Sequence, residues 1–247
     1  MKASRSDYLV LIIGLLVAWQ LLHWAVGANV VSSPAVTLKR AFELLHTKSF
    51  WNHVASTGMA FGLASVISIF AGIVIGLWLG LRRFAGDVAD PILNTLYSIP
   101  KITLYPLILL IFGLGVSAKV AFGVIHGIFP VAIFTMNAVR NVAPIYYRTA
   151  RILRLSLLTT ASTIMAPAAL PEILTGARIG IALTLLGTLI GELFASTSGI
   201  GFVLIRAMDV HAEVDILALT TLLFVFAASI NALVHFFERW ARHNAQQ

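Results

Sequence analysis

The chain has 247 residues, 59% hydrophobic and 11% charged, with a formal net charge of +7. Soluble domains carry roughly 25% charged residues, so this composition excludes an ordinary globular protein and defines an integral membrane protein. The basic residues flank apolar runs instead of forming one patch, which excludes a nucleic-acid surface, and the absence of cysteine excludes disulfides and thiolate metal sites.

Six apolar runs approach the ~20 residues a helix needs to cross a bilayer. They lie at about 8–26, 54–81, 92–113, 118–139, 173–194 and 215–237. Backbone groups cannot stay unpaired in hydrocarbon, so the runs predict helices, and the alternation of a membrane barrel is absent. The expected fold class is an all-α membrane protein with about six transmembrane helices. The first run, after Lys2 and Arg5 and before Val26-Gly27-Ala28, has the layout of a secretory signal. Its length favours a retained helix.

After this run, Ser33-Pro34 reads as a helix N-cap and first residue. Leu38, Ala41, Phe42 and Leu45 keep helical spacing, which predicts a short surface helix or a connector with one amphipathic turn. The second span carries Gly58, Gly62, Gly72, Gly76 and Gly80, and the spacing recurs at Gly123/Gly127, Gly176/Gly180 and Gly187/Gly191. Small-residue faces of this kind let helix backbones approach closely, within the bundle or between subunits. The third span places Lys101 between Pro100 and Pro106, where a proline kink frees carbonyls toward a cavity. A lysine there attracts an anionic solute, or else snorkels to the interface. His126, in span four, is a pathway candidate or an interhelical hydrogen-bonding group.

Between spans four and five the sequence is basic and loosely amphipathic. If helical, it sets Arg148, Arg151 and Arg154 within an arc of about 120° at 3.6 residues per turn. That face meets acidic protein or anionic lipid, while Leu153 and Leu157 form an apolar strip. Glu172 follows Pro171 in the expected first turn of span five, where a carboxylate suits the helix's positive end. Glu192 closes that span as a gate, a pairing partner or a boundary anchor. Ten basic residues (Lys2, Arg5, Arg82, Arg83, Arg140, Arg148, Arg151, Arg154, Arg239, Arg242) then lie inside. Five (Lys39, Arg40, Lys48, Lys119, Arg206) lie outside, which predicts both termini in the cytoplasm. The chain has no GxxxxGK[ST] motif, so ATP binding by a P-loop is excluded, and no HExxH or GxSxG occurs.

From about Val36 to Arg239 the chain resembles the permease subunits of binding-protein-dependent ABC importers, in the sulfonate/taurine/nitrate branch. The blocks that carry this come in family order: SSPAV, IVIGLWLGLRR, YSIPKITLYPLILLIFGLG, APAALPEILTGARIGIAL and GELFASTSGIGFVL. In that family a loop with the pattern Glu-Ala-Ala, then glycine, then Ile/Val-x-Leu-Pro docks on the ATPase. Here Ala150 and Ala169-Leu170-Pro171 keep the pattern, while Arg148, Thr149 and Arg154 replace the glutamate, first alanine and glycine. Arginine is not expected to supply glycine's tight turn at that place.

The resemblance implies a type I, MetI-like architecture: an N-terminal anchor over 1–35, the permease domain over 36–240 with a coupling loop at about 140–172, and a cytoplasmic tail over 241–247. The coupling residues would be Arg148, Thr149, Ala150, Arg151, Leu153, Arg154, Leu157 and Pro171, and the pathway candidates Lys101, His126 and Glu192. The implied partners are a cytoplasmic ABC ATPase, a periplasmic solute-binding protein, a second permease copy or paralogue, and the lipid bilayer; no cofactor or metal is implied. The chain itself would be no enzyme, but a bacterial inner-membrane pathway for a small organic or inorganic anion. An ion-coupled secondary transporter, or a permease for a vitamin or precursor, is the alternative.

Overall fold

The computed structural model describes residues 5–27, 30–194 and 196–244, so Lys2, Ala28 and Ala195 lie outside the described residues. Helices α1 (Arg5–Val26) and α2 (Pro34–Leu45) come first, and the Ser33 hydroxyl accepts from Val36 N, capping α2 where Ser-Pro predicts. The amphipathic helix is therefore formed. Arg40 ties it to a later helix: its Nε donates to Asp215 Oδ1 at 2.5 Å, and Nη1 bonds Glu43. Hydrogen bonds donated to Asp215 and then to Glu43 push the Arg40 pKa up, so the guanidinium is a permanent charge.

Helix α3 (Lys48–Leu81) begins about one and two-thirds turns before the expected span. It is followed by α4 (Arg83–Ser98), a 3₁₀ turn (Lys101–Leu104), α5 (Tyr105–Phe112) and α6 (Val116–Arg140). The third span is not the continuous helix its apolarity predicts. It is bent by 86° between α4 and the Lys101–Phe112 segment. Pro100 explains the break: it has no N–H to extend α4 and forces Ile99 into an extended conformation, with φ −62° and ψ 134°.

Beyond α6 come α7 (Pro144–Ile152), α8 (Leu157–Thr160), a π turn (Ala161–Met165), α9 (Ala166–Phe194), α10 (Ile200–Asp209) and α11 (Glu213–Asn244). Helix α9 starts about two turns earlier than expected and runs through Pro171, so Glu172 is not in its first turn. Among the described residues, α3, α6, the Thr163–Phe194 segment and α11 are long and apolar enough to span a bilayer; Val10–Val26 is a shorter apolar helix.

Helices α3, α6 and α9 form the core. A Cβ on Gly76 would lie 2.5 Å from Thr135 Cβ, and one on Gly127 would collide with Thr184. Only glycine allows these backbones so close, and dispersion across the contact replaces the missing hydrophobic drive in lipid. Gly58 and Gly62 differ, because among the described residues no atom beyond their own helix lies within 4 Å of an added Cβ there.

Candidate functional site

Three places gather the chemistry. The first is the break in the third span. Lys101 is buried, its Nζ donates to Tyr97 O at 2.7 Å, and the amine lies 5.2 Å from the Tyr97 ring and 5.8 Å from that of Phe129. It does not snorkel. It caps a terminal carbonyl of α4, where a cation suits the negative helix end. His126 turns inward: its Nδ1 is 2.7 Å from Phe122 O on its own helix, and the ring sits against Gly187 of α9.

The second place was not legible in the sequence. Lys119, expected in an outer loop, lies in the first turn of α6 and is completely buried, as is Glu192 near the end of α9. Lys119 Nζ donates to Ser198 O at 2.7 Å and Ser56 Oγ at 2.8 Å, and stands 3.4 Å from Glu192 Oε1. The carboxylate is 2.8 and 2.9 Å from the Thr57 hydroxyl and accepts from Gly201 N at 3.0 Å. Thr57 Oγ1 also accepts from Ile200 N, and His53 Nδ1 accepts from Gly199 N at 3.1 Å. Gly199 has φ +114°, and any Cβ there would strike the Glu192 carboxylate. One buried pair thus ties the segment 196–201 to α3 and α6. Each donor of the ammonium has an acceptor, the condition under which a buried charge is tolerated. Glu192 is neither a free gate residue nor a boundary anchor.

The third place is the segment 141–165. Ala150 is buried and Arg148, Thr149, Leu153 and Arg154 are exposed, while the side chains of Arg151 and Leu157 lie outside the described residues. The three-arginine face does not form, because α7 ends at Ile152 and Arg154 stands in a left-handed turn with φ +49°. Nor do Leu153 and Leu157 share one helix face. Leu155 N reaches back to Ala150 O at 3.0 Å, the six-to-one bond of a Schellman C-cap, with Arg154 where glycine is usual. Arginine therefore does supply the turn expected only of glycine, at a cost of roughly 1–2 kcal/mol of backbone strain. Pro171 lies away from this turn, inside α9.

A helical bundle with several helices long and apolar enough to cross a bilayer, and one bent pair beside them, is the build of a polytopic membrane protein. Residues 68–243 match the family described as "Binding-protein-dependent transport system inner membrane component". The chain belongs to that family and is an importer permease, which sets aside an ion-coupled secondary transporter. It is similar to the taurine transport system permease protein of Escherichia coli (strain K12), 31% identical over 69% of this chain and 62% of the relative. It is similar also to the nitrate import permease protein of Synechocystis sp. (strain ATCC 27184 / PCC 6803 / Kazusa), 30% identical over 76% and 71%. Among solved structures, a chain of the inward-facing MetNI methionine ABC transporter aligns with a TM-score of 0.60 and 19% identity, covering 80% of this chain and 97% of that one. The fold is thus the MetI-like permease fold.

Proposed function

We propose that this permease carries a small anion, driven by ATP hydrolysis in a separate cytoplasmic subunit. The observation that supports the anion reading is the similarity to permeases named for taurine, which bears a sulfonate, and for nitrate. A periplasmic binding protein delivers the solute, and a second permease copy or paralogue completes the pathway. Both termini face the cytoplasm, with 1–35 as anchor, 36–240 as permease domain and 241–247 as tail. The coupling loop, about 140–172, docks on the ATPase through the exposed Arg148, Thr149, Leu153 and Arg154. Lys101 borders the pathway at the break, and His126 and Glu192 support its walls from inside the bundle. The purified chain should hydrolyse no ATP, whereas its complex with the nucleotide-binding subunit should, and cysteines at Thr149 and Leu153 should cross-link to that subunit. Turnover by the chain alone would overturn the division of labour.

A further inference from the structure

Resting on that anion reading, a further role falls to a cation that the break and the sealed pair both leave aside. Arg178 lies on α9, roughly 24 Å along the helix from Phe194 at 1.5 Å per residue, within the apolar Thr163–Phe194 segment. It lines two neighbouring clefts. One, of about 400 Å³, is walled by Tyr97 of α4, by Thr175, Ile179 and Leu183 of α9, and by Asn231 of α11. The other, of about 370 Å³, opens along α9 and α11 and shares Arg178, Ala182 and Asn231.

The guanidinium is underused. Among the described residues only its Nη1 has hydrogen-bond partners, His235 Nδ1 and Glu238 Oε2, both at 3.5 Å, the outer limit of such a contact. Its side chain is 41% exposed, whereas Glu238 is 8% exposed, so the arginine and not the carboxylate faces the open cleft. The Asn231 amide has no hydrogen-bond partner among the described residues. A guanidinium holds two donors in a plane suited to nitrate, carboxylate or sulfonate oxygens. An apolar cleft with a few converging polar groups is the usual form of a small-molecule site, and a cation inside a membrane span is by default functional. Lys101, by contrast, already has its amine on Tyr97 O, behind the residue that forms the cleft wall.

We propose that Arg178 and Asn231 form an anion-binding subsite of the translocation pathway, in the cleft between α4, α9 and α11. Arg178 is the residue that favours a solute bearing nitrate, carboxylate or sulfonate oxygens.

The test uses the assembled importer in proteoliposomes, with saturating binding protein loaded with labelled nitrate or taurine, and reads uptake rate. Arg178→Gln is expected to lower uptake about tenfold or more, the effect of one charge-assisted contact, and Arg178→Lys is expected to fall between it and wild type. Glu238→Gln breaks the same ion pair but keeps the cation, and should retain near wild-type uptake. Equal losses in Arg178→Gln and Glu238→Gln would reduce the pair to a structural brace and overturn the subsite. Repeating the assay in phosphatidylcholine alone and with phosphatidylglycerol added separates a solute site from an anchor on anionic lipid. A defect only with phosphatidylglycerol would also overturn the proposal. If the wild type moved only solutes that carry no anionic group, the anion reading itself would fall, before any variant is read. Normal wild-type anion uptake with an unaffected Arg178→Gln would sink the subsite alone.

Discussion

The α3–α6–α9 core is crowded with glycine, whereas residues 141–165 contain none and hold three arginines instead. In the core, helices must approach to van der Waals distance without hydrophobic help, so a missing side chain is itself the attractive feature. The loop needs a tight turn after α7 and makes it with Arg154 at φ +49°, accepting strain to keep a charge. Within α3, α6 and α9 glycine marks backbone contact, whereas left-handed turns are made by Gly113, Gly115 and Gly199 and, after α7, by Arg154. A reader who takes glycine only as a turn signal misses the helix contacts, and one who requires glycine in every tight turn misses Arg154.

The contrast breaks most readily at the buried pair. Lys119→Met strands the Glu192 carboxylate, and losing one partner of a buried pair costs about 3–5 kcal/mol. Thermal unfolding of the purified permease in detergent should show a large drop, and Lys119→Met/Glu192→Gln should recover part of it. A single variant as stable as wild type would mean that water reaches the pair. The next effect sharpens the glycine argument. Gly127→Ala drives a methyl into Thr184 and should cost about 1–3 kcal/mol. Gly58→Ala, with open space around it, should be neutral or stabilising by up to about 1 kcal/mol through helix propensity. Equal effects at the two sites would deny that close approach is what these glycines provide. The smallest change is expected in the loop: Arg154→Gly relieves a left-handed arginine and should stabilise the turn by about 1 kcal/mol. Slower amide exchange at Leu155, which donates to Ala150 O, is the measurement; faster exchange would contradict the cap.

The spans and the Ser33-capped helix were legible because their signals are local: apolar length, and a hydroxyl followed by proline. Span ends were less so, since α9 runs through Pro171, its sixth residue, although that proline removes one hydrogen bond of the ladder. The break was half legible. Pro100 announces a kink, but nothing in YSIPKITLYP fixes its angle. Lys119 was misread because KVAFG after Leu114-Gly115 looks like a loop edge. Its burial depends on Ser56, Glu192 and Ser198, which only the tertiary fold brings together. The arginine face failed because its geometry assumed a helix that the cap after Ile152 ends.

The bend between α4 and α5 has a mechanical side. Two rods 86° apart share a crossing evenly if each leans about 43° from the membrane normal. At 1.5 Å per residue in the helices and 2.0 Å in the 3₁₀ turn, their heights are then roughly 17 and 15 Å, together about the 30 Å of the hydrocarbon core. The elbow stands aside from the line between its ends by on the order of 16 Å, and straightening it by about 20° draws it back by roughly 3 Å. That is close to the diameter of a water molecule. A small change in the bend angle would thus be amplified at the elbow, which makes this the place where a modest flexure has its largest lateral effect.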